Sequence, residues 1–248
     1  MTGKVYLIGA GPGAADLITM RGARVLARAD IVFHDALVQP ELLALAPQAE
    51  HVAVGKRCRQ ISTDQRFINR ALVEAAQRHA VVVRLKGGDA TLFGRAQEEM
   101  QALRTAGIAY EIIPGVTAAL AAAADLGLSL TQRGISRSVV FVTPRVGEGE
   151  SDHDWVQSVL TADTAVLYMA SGQAAEITAS LLRHGISGGT PAAIVSNASL
   201  PQVQQTVTTL AQLPEAARQA EAPALIVLGE VLRAHLQDAL PTIQQKVM

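Results

Sequence analysis

The stretch Val81-Val82-Val83-Arg84-Leu85-Lys86-Gly87-Gly88-Asp89-Ala90-Thr91-Leu92-Phe93-Gly94-Arg95 decides the fold. A β-branched run ends in two charges, two adjacent glycines and an acid follow, and a third glycine opens the next helix. This reads as a strand entering a loop whose backbone must approach something closely, which residues without a Cβ allow. The acid beside the glycines offers that something an acceptor for donors or positive charge.

The segments before this stretch repeat its form. Lys4-Val5-Tyr6-Leu7-Ile8 is a short apolar strand followed by Gly9-Ala10-Gly11-Pro12-Gly13. Ile18, Gly22, Val25 and Leu26 recur at helical spacing after it, and Ile31-Val32-Phe33 is the next strand, ending at His34-Asp35. A strand-loop-helix-strand beginning predicts a parallel sheet by the right-handed crossover rule. Gly9, Gly11 and Ala14 with Asp35 satisfy a permissive dinucleotide fingerprint. The same residues fit a tight strand-to-helix turn without ligand, and this loop alone leaves both readings open.

Val52-Ala53-Val54-Gly55-Lys56-Arg57 is another strand ending in a glycine and two cations. Ser62 and Gln65 form a capping-box pattern, and Ile68, Ala71, Leu72, Ala75 and Ala76 make one apolar stripe of the helix that follows. A helix through Met100 and Leu103 ends at Gly107, and a strand follows at Tyr110 to Ile113. Gly9–Gly13, Asp35, Gly55–Arg57 and Gly87–Asp89 therefore all end strands. In an open parallel sheet these ends share one edge, where ligands bind.

Pro114-Gly115 breaks the chain, and a small-residue helix runs from Val116 to Gly127, suited to close packing against a backbone or a flat ligand. Strands recur at Ser138–Thr143, Thr164–Met169, Pro191–Val195, Gln204–Thr208 and Ala222–Leu228, with a helix through Ile177, Leu181 and Leu182 ending at Gly185. The expected division is an N-terminal α/β domain over 1–113, a C-terminal α/β domain over 114–240 and a frayed tail over 241–248. The polar segment from Pro144 to Asp154 reads as a solvated connector or a lid.

Composition narrows the class. The chain has 248 residues, 49% of them apolar and 3% aromatic, with a net charge of -1. That suits sheets covered by helices, and argues against general nucleic-acid or membrane-surface binding. The single Cys58 excludes an internal disulfide and a cysteine zinc cluster, so a reducing compartment is the simplest inference. No apolar run reaches the roughly 18 residues needed to cross a bilayer. The start lacks the regions of a signal peptide. A cytoplasmic protein is expected, and the six histidines have no spacing that suggests a metal site.

Taken together, the segments resemble the tetrapyrrole methyltransferases that use S-adenosylmethionine, and among them those that act on uroporphyrinogen III. The matching pieces span nearly the whole chain in order. They are Gly9-Ala10-Gly11-Pro12-Gly13, Asp35-Ala36-Leu37-Val38, Gly55-Lys56-Arg57, Val83–Asp89, Phe93-Gly94-Arg95 with Glu98-Glu99, Pro114–Ala119, Tyr168-Met169 and Pro223–Val227. One glycine loop carries little information; so many in register are highly specific.

The resemblance implies two α/β domains with a cofactor cleft between them, a homodimer, and transfer of methyl groups from S-adenosylmethionine to C2 and C7 of uroporphyrinogen III, giving precorrin-2 and S-adenosylhomocysteine. It carries cofactor contacts onto Pro12, Gly87, Gly88, Asp89, Leu92, Thr117, Ala118, Met169 and Ala198. It makes Asp35 the base and Lys56 the acid; by the residues alone Asp35 equally caps a loop and Lys56 equally meets a substrate carboxylate. An acceptor with eight carboxylates calls for cations, and Arg95 and Arg133 lead a set that includes Lys56, Arg57 and Arg145. Glu98, one turn from Arg95, can orient it.

The chain departs from the family pattern at Ala90, where the family has proline, and at Ala96-Gln97, where it has two glycines. It also has Gln132 in place of histidine and Pro144-Arg145 in place of Gly-His. The missing histidine removes a titratable group near the substrate, which bears on acceptor choice. Three other readings stay open here: a methyltransferase acting at a later carbon of the corrin path, a nicotinamide-dependent oxidoreductase, and a binding protein without turnover.

Overall fold

Residues 2–55, 64–146 and 154–239 are described in the computed structural model. In the first part of the chain, β1 (Lys4–Gly9) leads through a short turn to α1 (Met20–Leu26), then β2 (Ile31–His34), α2 (Pro40–Leu43) and β3 (Glu50–Ala53). Next come α3 (Gln65–Ala76), β4 (Val81–Lys86), α4 (Ala96–Thr105), β5 (Ala109–Ile113) and α5 (Ala118–Asp125). The chain forms two units, Met1–Ala121 and Ala122–Met248, which divide inside α5, past the Pro114-Gly115 break.

The sheet of the first unit has the order β3-β2-β4-β1-β5. Every pairing is parallel, so the carboxyl ends of these strands share one edge, as the sequence predicts. β4 lies inside this sheet, and its residues divide by parity. Val83 and Leu85 pack with Ile8, Val25, Leu26 and Leu42. Val82 faces the other way, with Leu7, Ile68, Leu72 and Leu103. Burial on both faces is why this strand reads as a continuous apolar run.

Two helix starts differ from expectation. Ile18 precedes α1 instead of opening it, because Thr19 is the N-cap and its hydroxyl accepts from Gly22 N at 3.1 Å. α3 is capped by Asp64, whose carboxylate accepts from Arg66 N at 2.9 Å. Gln65 is thus the first helical residue and not the third of a capping box, while Ser62 lies outside the described residues.

The second unit holds β6 (Val139–Val142), α6 (Trp155–Leu160), β7 (Thr164–Leu167), α7 (Ala174–Arg183), β8 (Pro191–Ser196), β9 (Gln204–Thr209), α8 (Leu213–Arg218), β10 (Ala224–Gly229) and α9 (Arg233–Ala239). All five strands expected from sequence are present. Their sheet order is β6-β7-β10-β8-β9, with only β6 and β7 parallel. Because β10 runs antiparallel to both β7 and β8, those two run parallel to each other and end on one edge. Leu167, Ile177, Leu181, Ile194 and Leu210 anchor this unit's core.

Candidate cofactor and substrate site

The first unit's edge is built on crossing backbones. At the end of β1, Ala10 N donates to Lys86 O at 2.7 Å. Gly88 N donates to Gly11 O at 2.7 Å, and Gly11 N returns a bond to Gly88 O at 3.1 Å. The two glycine loops are therefore paired with each other. Gly88 has φ +68°, which an L side chain rarely adopts.

These bonds and the strand order exclude the dinucleotide reading. A dinucleotide site needs free loop amides at a helix start, and an acid on the strand next to β1. Here the Gly11 amide is spent on Gly88, α1 starts only at Met20, and β4 separates β2, with its Asp35, from β1.

Two kinds of glycine stand on this edge. A Cβ on Gly9 would lie 2.6 Å from Gly115 Cα and 2.7 Å from Gly88 O, so these three backbones touch. A Cβ on Gly87 or Gly88 would come no closer than 3.6 Å and 3.9 Å to the rest of the unit. A Cβ at either would thus be only in ordinary van der Waals contact with Leu37, Thr117 and Ala118, and without one the backbone of Gly87 and Gly88 can be approached closely by a ligand.

Asp89 clasps this arrangement. Its Oδ2 accepts from Gly115 N at 2.9 Å, and its Oδ1 accepts from Thr91 N at 2.8 Å and Thr91 Oγ1 at 2.5 Å. Burial pushes the Asp89 carboxyl up, but the bonds from Thr91 and Gly115 outweigh that and hold it below its usual value. The carboxylate thus faces backbone, and ties the β4 loop to the Pro114-Gly115 turn that precedes Thr117 and Ala118. With a depressed folded pKa, the clasp contributes stability above the unfolded value and loses it as pH falls through the folded one. The Gly115 amide proton resonance is expected to hold its position down to about pH 4 and move only below it. Movement near pH 6 would contradict the clasp.

Asp35 follows β2 on the same edge. Its Oδ1 lies 2.5 Å from Arg84 Nη2, and the side chains are 31% and 3% exposed. Arg84 Nε donates to Glu99 Oε1 at 2.9 Å, and Lys86 Nζ reaches both Glu99 oxygens, at 3.0 Å and 2.9 Å. Burial lowers the pKa of Arg84, yet Asp35 and Glu99 raise it overall. Burial and then the Arg84 charge lower that of Lys86, and Glu99 offsets only part of this. Sequence reading did not single out these three residues. Their signal was the period-two placement of Arg84 and Lys86 in an apolar strand, which puts both cations on the face covered by α3 and α4.

The other expected residues are placed as follows. Pro12 and Leu92 are half-buried in the first unit, and exposed Leu37 and Phe93 add apolar surface near the β2 and β4 ends. Arg95 is the N-cap of α4 and forms a bidentate pair with Glu98, at 2.6 Å and 2.9 Å. The pair is solvent-exposed and contributes at most about 1 kcal/mol to stability, so it orients Arg95 more than it holds the fold.

In the second unit, Met169 and Ala198 follow β7 and β8 on one edge, on either side of the start of β10. Met169, Asn197 and Ser199 all have positive φ, so the backbone here adopts left-handed turns at the three positions around these contacts. Arg133 sits exposed in the tight turn closed by Gln132 N–Ser136 O at 2.9 Å and Ser136 N–Gln132 O at 2.8 Å. Arg145 is exposed as well. Lys56 and Arg57 lie outside the described residues. Among the described residues no cluster of three His, Cys, Asp or Glu could hold a metal ion, and no helix is long and apolar enough to cross a membrane.

With two α/β units and a glycine-lined sheet edge established, comparison with known proteins places the chain. The family model for tetrapyrrole (corrin/porphyrin) methylases matches residues 4–214. A siroheme synthase of Klebsiella pneumoniae is 46% identical over 240 residues, covering 96% of this chain and 51% of that protein. The chain thus spans about half the length of the siroheme synthases it matches. Among solved structures, the uroporphyrin-III C-methyltransferase of Thermus thermophilus complexed with S-adenosylhomocysteine gives a TM-score of 0.82 at 39% identity, covering 94% of this chain and 100% of that one. A cobalt precorrin-4 methyltransferase gives 0.80 at 29% identity, covering 92% and 95%. The chain belongs to the tetrapyrrole methylase family.

Proposed function

We propose that this chain transfers two methyl groups in succession from S-adenosylmethionine to C2 and C7 of uroporphyrinogen III, giving precorrin-2 and two S-adenosylhomocysteines. The observation that carries this reading is the full-length likeness to the Thermus enzyme. The backbone at Gly87 and Gly88, bare of Cβ atoms, fits close approach by a molecule such as the S-adenosylhomocysteine bound in that enzyme.

S-adenosylmethionine brings its methyl on a sulfonium, an electrophile that needs no further activation. The protein's task is to align a pyrrole carbon with that methyl and exclude water. Pro12, Gly87, Gly88, Asp89, Leu92, Thr117, Ala118, Met169 and Ala198 hold the cofactor in this proposal, with Asp89 acting through the loop it ties down. Each transfer makes a carbon–carbon bond and leaves the macrocycle with one proton in excess. Asp35 accepts it, and Lys56 returns a proton where the macrocycle rearranges. Arg95, held by Glu98, and Arg133 meet substrate carboxylates. A homodimer in the cytoplasm completes the proposal, which covers methyl transfer only.

The test is incubation with uroporphyrinogen III and S-adenosylmethionine, followed by mass. A gain of two methyl groups is expected, with S-adenosylhomocysteine formed at two per acceptor. No gain on uroporphyrinogen III, with a gain of one methyl on a later precorrin, would replace this reading by the second one. That alternative is favoured by the precorrin-4 enzyme's likeness and by Gln132 in place of the family histidine.

A further inference from the structure

The first unit buries three charges where apolar side chains would pack at less cost. Arg84, Lys86 and Glu99 are 3%, 2% and 0% exposed. Desolvating each ion costs several kcal/mol, and replacing such clusters by well-packed apolar residues is often neutral or stabilising. Stability alone therefore does not account for this cluster. Its neighbours on the same face, Val82, Leu72 and Leu103, are apolar.

The charges have a direction. Glu99 Oε1 accepts from both Arg84 Nε and Lys86 Nζ, Oε2 accepts from Lys86 Nζ, and Gln65 Nε2 lies 3.4 Å from Oε1. Two cations and one carboxylate leave one positive charge over. The only described group that balances it is Asp35, reached through Arg84 Nη2 at the sheet edge. A guanidinium gripped through Nε by Glu99 has its far nitrogen fixed in direction, because the group is planar.

We propose that Glu99, Lys86 and Arg84 are positioning residues for methyl transfer: Glu99 and Lys86 fix Arg84, and Arg84 fixes the carboxylate of Asp35 towards the substrate. This rests on the proposed function, in which Asp35 accepts the proton. The buried pair sets both the geometry and the charge balance beneath Asp35, and it does so without touching substrate or cofactor.

The test is a double-mutant cycle on the full chain, with Glu99→Gln, Lys86→Met and both together. Gln keeps an acceptor for Arg84 Nε, and Met keeps the stem of Lys86 without its charge. Each single change leaves the cluster unbalanced, whereas the double variant leaves Arg84 and Asp35 as a matched pair. Each single variant is expected to lower kcat by more than about tenfold, with KM for uroporphyrinogen III changed by less than about threefold. The double variant is expected to recover kcat to within about fivefold of the unaltered protein. S-adenosylhomocysteine affinity should stay within about twofold throughout.

Additive losses in the double variant, about a hundredfold, would overturn the inference, as would single variants with unmoved kcat or with changes in KM alone. Should a single variant fail to fold, the double carries the test: recovered kcat supports the proposal, and a folded double below about a hundredth of normal kcat overturns it. An unaltered protein that binds S-adenosylhomocysteine but leaves uroporphyrinogen III unmethylated sinks the proposed function, and this inference with it. An active protein with an additive cycle sinks the inference alone.

Discussion

Gly115→Ala is expected to destabilise the protein by about 3 kcal/mol or more and to abolish S-adenosylhomocysteine binding. The added Cβ would press against the Gly88 carbonyl oxygen and come within 2.7 Å of Gly9 Cα. All the opposing atoms are backbone, so no side chain can turn aside to relieve the contact. Relief requires moving the ends of β1, β4 and β5 apart, and these strands carry the edge on which the ligand is proposed to lie. For a chain of this length each kcal/mol lowers Tm by about 2–4 °C, so the loss is readable by calorimetry. Gly172→Ala is the control, since a Cβ there meets nothing within 4 Å. Equal melting of both variants would refute the three-backbone contact.

Asp89→Asn is expected to weaken S-adenosylhomocysteine binding by about ten- to a hundredfold while lowering stability by about 1–2 kcal/mol. The carboxylate accepts three hydrogen bonds from Gly115 and Thr91. An amide keeps one acceptor oxygen, and the orientation that saves both Thr91 bonds turns its nitrogen towards Gly115 N. The β4 loop then loses its tie to the Pro114-Gly115 turn. Isothermal titration measures the affinity. Unchanged affinity would mean that the loop holds its form without the clasp.

The strands and their shared edge were legible because period-two patterning and strand-ending glycines are local signals. β4 shows this best: its β-branched run, charges and glycines fixed strand, loop and helix in a single reading. The role of Asp89 was only half legible. An acid beside two glycines suggests a ligand acceptor, but its bond to Gly115 joins residues far apart in sequence. Arg84, Lys86 and Glu99 were harder still. Charges in a strand suggest an exposed face, and only the tertiary covering by α3 and α4 buries them. The mixed pairing of the second sheet was not legible either, since antiparallel insertion of β10 between β7 and β8 leaves no mark in a run of apolar residues. The Ser62–Gln65 box misread the start of α3 because Asp64 competes as a cap and is nearer the helix.

The strand order of the first unit bears on how the nascent chain acquires its form. Lys4 of β1 pairs with Val81 of β4 and with Ala109 of β5. β1 therefore has no sheet partner until β4 and β5, both later in the chain, have been made. Such non-local pairing slows folding and leaves an apolar segment exposed meanwhile. Val5, Leu7 and Ile8, which end fully buried, make unpaired β1 the natural point of engagement for a chaperone.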